Sequence, residues 1–201
     1  MIWESSYWKG DLIKDAQIIL RWSQKKHSVR QEILLEKKIF ISAYSIRKLI
    51  EAEKIGKDFP MWDFVFERHT KTSKKEIDYL NSHRLEEHYD FNSKEKVSSD
   101  LSFLSNQIIH SYVFAFSGDE KTIDGFYVAS DYEKEKYLYY VNLEKYINVL
   151  LWIGYSDFSI KSANRNPNSK SGFDIVREYA FNDSIPRKGL PNKKLFFLMN
   201  Q

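Results

Sequence analysis

Apolar positions recur at helical spacing through the first part of the chain. Trp8, Leu12, Ala16, Ile19 and Leu20 form an amphipathic stripe, and Ser5 or Ser6 is placed to cap a helix running to about Lys26. A polar break, "KKHSV", follows. From Val29 to Ile55 there is neither Pro nor Gly, and Leu34, Leu35, Ile39, Ile41, Tyr44, Ile46, Leu49, Ile50 and Ile55 cover more than one face. This predicts one continuous central helix, about 40 Å long at 1.5 Å per residue, touched from several sides. Gly56 stands where its C-terminal cap belongs.

The pattern breaks over residues 57–72, where Pro60 and several aromatics predict a packed loop or a short strand. Residues 73–88 predict a short polar helix whose mixed charges read as a solvated face. The stretch "SDLSFLSNQIIHSYVFAF", residues 99–116, predicts a third long helix. Its stripe is Val97, Leu101, Leu104, Ile108 and Tyr112, with Ser93 as cap. Alternation then takes over. "TIDGFYVASD" and "KYLYYVN" predict two strands around the charged turn "DYEKEK". "LEKYINVLLWIG" predicts a last helix, opened by Asn142 and closed by Gly154. "KSANRNPNSKSG" is a loop rich in breakers, and "FDIVREYAF" predicts a further strand.

These elements add up to a mainly α fold: a helical bundle with a small antiparallel β hairpin, α+β overall. The expected organisation is a single domain over 1–201. Residues 5–116 form the bundle core, and 117–201 supply the hairpin, the final helix and an irregular C-terminal segment. Composition is consistent with an ordered chain, with 14 Phe, 13 Tyr and 5 Trp against only 7 Gly and 4 Pro. Lys and Arg number 31 against 28 Asp and Glu, a net charge of +3 that permits nucleic-acid contact without demanding it. The absence of cysteine excludes disulfides, thiolate metal sites and thiol nucleophiles. The first residues lack the basic start and apolar run of a signal peptide, and runs such as "VLLWIGY" are too short to span a bilayer. A cytoplasmic, soluble protein without membrane contact is expected.

Two pairs of residues carry candidate chemistry. Asn106 and His110 are four apart, so a helix places one above the other. Imidazole can take or give a proton near neutral pH, and an amide can orient it or donate to an oxyanion. From residue types alone the pair reads first as a structural amide–imidazole contact that satisfies two partly buried groups. Arg47 and Glu51 are also four apart on the second helix, with Lys48 and Lys54 nearby. They are either a surface ion pair or a guanidinium held by Glu51 and aimed at a phosphate, with the lysines contacting RNA. His83, Glu87, His88 and Asp90 in "HRLEEHYD" read as a surface cluster, because only His83 and Glu87 share a helical face. No metal and no cofactor is expected. There is no P-loop, dinucleotide glycine fingerprint, nucleophile elbow or His-Glu-x-x-His.

A long first helix, a longer one carrying "YSIRKLIEAEK", and a later helix with "SNQIIH" resemble the HEPN superfamily of small helical bundles. The resemblance implies a bacterial defence or toxin protein that cleaves RNA without a metal. It also implies assembly as a homodimer or with a protein partner. His110 would be general acid or base, Asn106 its orienter and Arg47 the phosphate clamp. Family members carry an Arg little more than one helical turn before the His. Here that position is Ser105. The alternative is a non-catalytic bundle that binds a protein or nucleotide partner.

Overall fold

Two N-terminal helices pack on two later ones, which rest on an antiparallel sheet. The structure, a computed structural model, describes residues 2–25, 28–119, 121–168 and 172–181. Helix α1 (Ser6–Ser23) buries Leu12, Ala16 and Ile19. Helix α2 (Val29–Glu51) opens with a reciprocal capping box, in which Gln31 N–H donates to Ser28 Oγ and Ser28 N–H donates to Gln31 Oε1. It runs unbroken through Arg47, as expected, but stops at Glu51 and not at Ile55. Glu53 then takes a left-handed φ of 59°, and the chain turns before Gly56.

The rest of the chain departs from the expected bundle. Strands β1 (Asp63–Lys71), β2 (Tyr89–Asp100), β3 (Ser111–Gly118), β4 (Ile123–Ser130) and β5 (Tyr137–Asn142) form one five-stranded sheet in the order β2-β1-β5-β4-β3. All four pairings are antiparallel. The fold is therefore α+β with a full sheet, and the hairpin foreseen as an insert, β4–β5, is part of its centre.

The correction falls mainly on the stretch read as one helix. It is strand, helix, strand: the end of β2, then α4 (Leu101–Ile109), then β3. The cap of α4 is Asp100, whose carboxylate accepts from Phe103 N–H at 2.7 Å, and not Ser93, which lies within β2. Residues 73–88 are turns that end in a single helical turn, α3 (Leu85–His88), and not a polar helix. Asp78 accounts for this. Its side chain accepts from the backbone N–H of Leu80 and Asn81 at 2.8 and 3.1 Å, a local bond that competes with helix.

Helix α5 (Leu143–Tyr155) is capped by Asn142 as expected, through a 3.0 Å bond from Lys145 N–H. Gly154 is inside this helix and does not close it. A side chain there would overlap Ile13, so Gly154 lets α5 approach α1 closely. Helix α1 packs between α5 and α2, α2 packs on α4, and α4 and α5 rest on the sheet. Their main core joins Leu12, Ile39, Ile46, Phe66, Phe126, Tyr146 and Leu150. Fully buried Tyr146 contributes its hydroxyl to Ser42 Oγ at 2.8 Å and the Ile39 carbonyl at 3.1 Å. On the opposite face Ile77, Tyr89, Val113, Ala129 and Leu138 form a smaller cluster under the 72–88 segment. Strands β6 (Ser156–Arg165) and β7 (Phe173–Phe181) make a separate antiparallel hairpin. β7 was foreseen, and β6 runs into part of the expected loop. No helix among the described residues is long and apolar enough to cross a membrane.

Candidate functional site

A cleft of about 580 Å³ opens where α2, α4 and the β4–β5 turn meet. Its lining gathers Arg47 from α2, Phe103, Asn106, Gln107 and His110 from α4 and its end, and Ser130 to Glu133 from the turn. This volume falls in the usual range for ligand sites, about 300–1,000 Å³. Two clefts of similar size, about 490 and 510 Å³, are lined without a histidine.

Arg47 reaches the cleft already oriented. Glu51 Oε1 accepts from its Nε at 2.7 Å, and Glu51 Oε2 accepts from Lys48 Nζ at 2.9 Å. The Lys48 and Arg47 bonds hold the Glu51 carboxyl down to about 2. Glu51 is thus ionised at any working pH, and it engages one of the three guanidinium nitrogens. Lys48 stays with Glu51 and near the Tyr44 ring, and Lys54 is half-buried in the turn after α2. Neither of these expected RNA contacts lines the cleft.

Asn106 and His110 share the cleft but not as an amide–imidazole pair. The His110 N–H donates to the Asn106 carbonyl at 3.0 Å, because His110 is the C-terminal cap of α4. Its side chain is exposed. The Asn106 Oδ1 is buried without a hydrogen-bond partner, which costs roughly 1–3 kcal/mol for a polar atom. Ser105 faces the other way. It is fully buried, and its Oγ donates to the Leu101 carbonyl at 2.8 Å. The position where the HEPN resemblance would place an Arg therefore points into the core.

The opposite wall comes from the turn "SDYEKE", which the sequence presents as ordinary charged surface. Gln107 Oε1 accepts from Ser130 N–H at 2.9 Å, and Asp131 N–H donates to the His110 carbonyl at 3.2 Å. These two bonds fix the turn against the end of α4. Glu133 accepts from the Tyr139 hydroxyl at 2.9 Å. Burial first, and then Glu133, push the Tyr139 phenol up. Lys136 lies 3.7 Å from Glu133, and Lys134 bonds Asp131 at 2.8 Å while sitting over the Tyr112 ring. Asp131 and Glu133 are thus each paired with a lysine.

No family model matches the sequence. No curated protein and no solved structure matches it either.

The "HRLEEHYD" residues do not converge. His83 is exposed, Glu87 pairs with Arg84 at 3.6 Å, and buried His88 bonds Ser73 Oγ at 3.0 Å through Nδ1. Among the described residues no group of three or more His, Asp or Glu side chains is placed to hold a metal ion.

Proposed function

We propose that this cleft binds single-stranded RNA and cleaves it by metal-independent acid–base chemistry. The observation that supports the reading is the meeting of Arg47 and His110 in one cleft from two separate helices. Arg47, held at Nε by Glu51, offers its terminal nitrogens to the scissile phosphate as a fork. Glu133 takes the proton of a ribose 2′-hydroxyl as that oxygen attacks phosphorus. His110 gives a proton to the departing 5′ oxygen, which leaves a 2′,3′-cyclic phosphate. Phe103 and Tyr132 flank the same cleft and suit a base stacked between them.

The second reading is a binding module without catalysis. Buried Ser105 favours it, as does the unpartnered Asn106 Oδ1, an acceptor that an N–H donor of a partner could satisfy after a side-chain turn. One experiment separates the two. The purified chain is incubated with single-stranded RNA in excess EDTA, beside a DNA of the same sequence. Catalysis predicts cyclic-phosphate ends from the RNA, intact DNA, and a rate about a hundred- to ten-thousand-fold lower for His110→Ala, with the melting temperature unchanged. RNA that stays intact while binding to the wild-type chain would leave the binding module in its place.

A further inference from the structure

Several polar groups around the cleft are already committed. Gln107 Oε1 accepts from Ser130 N–H at 2.9 Å, Glu51 holds Arg47 at Nε, and Lys134 holds Asp131. Asn106 differs. It lines the cleft between Phe103 and His110, and the three share one face of α4 and its cap. Its Oδ1 is buried with no partner, and its Nδ2 makes no bond to the protein among the described residues. An amide carries both acceptor lone pairs and N–H donors, and here both ends are left for a ligand. A buried acceptor without a partner destabilises the free protein. A ligand that sets a donor beside an acceptor would relieve it.

We propose, on the reading of this cleft as an RNA site, that Asn106 reads a base and that the base is adenine. Phe103 precedes Asn106 by three residues, about 4.5 Å along the helix at 1.5 Å per residue. A base stacked on Phe103 therefore turns an edge toward the amide. Adenine fits that amide, because its N6–H donates to Oδ1 while its N7 accepts from Nδ2. A half-turn of the amide about its last torsion brings Oδ1 out to meet N6–H. Guanine sets two acceptors, N7 and O6, on the same edge, so Oδ1 would face a lone pair. Cytosine and uracil set one polar group beside a carbon there and make a single bond. Asn106 thereby selects the base, while Arg47 and His110 act on the phosphate and leaving oxygen, which are the same at every nucleotide. Reading a base takes the place of the orienting role that the HEPN resemblance gives Asn106, since no amide–imidazole contact is made.

The test uses short oligouridine RNAs, either unbroken or with one central adenine, guanine or cytosine. A further RNA carries 7-deazaadenine, which lacks the N7 acceptor. Binding is followed by fluorescence anisotropy in EDTA, and cleavage on denaturing gels. The wild-type chain should favour adenine by about 5- to 150-fold, the discrimination of one bidentate pair. 7-Deazaadenine should lose most of that preference with the protein unaltered. Asn106→Ala should treat all four bases alike, with no fall in melting temperature because it removes the buried orphan. If that variant does not fold, the 7-deazaadenine RNA decides alone. Equal treatment of all four bases by the wild-type chain overturns the base assignment and leaves RNA cleavage standing. An adenine preference that survives in Asn106→Ala, or with 7-deazaadenine, does the same. RNA that binds uncut still reports the preference through anisotropy. A chain that neither binds nor cuts any of these RNAs overturns both the base assignment and the RNA reading of the cleft.

Discussion

Arg177 fastens the β6–β7 hairpin to the turn after α2. Its side chain is 3% exposed, and Nη2 donates to both the Glu53 carbonyl, at 2.9 Å, and Glu53 Oε2, at 2.6 Å. The left-handed φ of Glu53 belongs to the turn that brings this carbonyl to the guanidinium. Asp58 accepts from the Arg177 backbone N–H at 2.6 Å, and the Tyr179 hydroxyl bridges Asp58 and the Gly56 N–H. A methyl group on Gly56 would overlap Arg177 Nη1. Arg177→Ala should therefore cost about 1–3 kcal/mol, the scale of losing bonds to a buried charged group. A lower urea midpoint checks this, and Gly56→Ala should move it in the same direction. Unchanged midpoints for both would show that the hairpin is not held here. Glu51→Gln probes the cleft in the same way. It removes the charge that orients Arg47, so on the proposed reading the salt dependence of RNA binding should change, while stability shifts by only a few tenths of a kcal/mol.

Among the elements, the helices with long stripes and clear caps were legible, and of the five-stranded sheet only the β4–β5 hairpin was. Leu101, Leu104 and Ile108 are helical in spacing and buried in α4. Val97 and Tyr112 fall four residues outside them and extend the same stripe by coincidence, although both lie in strands. The period-two signal of β3 was present: Phe114 faces the helices and Val113 the smaller cluster. It was masked because nearly every residue there is apolar, which suits a buried helix as well as a strand. The candidate site divides along the same line. Arg47, Asn106 and His110 stood out as polar groups on apolar elements. Ser130 to Glu133 carried no signal, because a charged turn looks alike whether or not it walls a cleft. Caps give a direct test of the corrected boundaries. Asp100→Ala should cost about 0.5–2 kcal/mol, and Ser93→Ala close to nothing. The reverse order in thermal melts would restore the longer helix. Since α4 is only nine residues and carries Asn106 to His110 at its end, fraying it should also lower any activity of the cleft.

For the molecule as a whole, its tyrosines tie stability to pH at the alkaline end. Burial pushes Tyr140 and Tyr179 up to about 12, and raises Tyr89, Tyr139 and Tyr146 as well. A phenol whose folded value exceeds its unfolded value near 10 stabilises the fold fully below pH 10. That contribution is lost as pH rises toward 12. Urea midpoints should be flat through neutral pH and fall across this window, with tyrosinate absorbance rising as the fold is lost. A flat midpoint to pH 12 would mean these phenols ionise without unfolding. The order of the strands also sets how the chain reaches this state. β1 lies against β5, and Glu67 pairs with Tyr140, 73 positions later. Such a distant partnership closes a large loop before it is rewarded, which slows folding. During synthesis the β1–β2 pair and β3 leave the ribosome before β5, which joins the two parts of the sheet. Until β5 arrives the uncharged "SYVFAFSG" has at most β4 beside it, and an unpaired strand edge of this kind favours association of nascent chains.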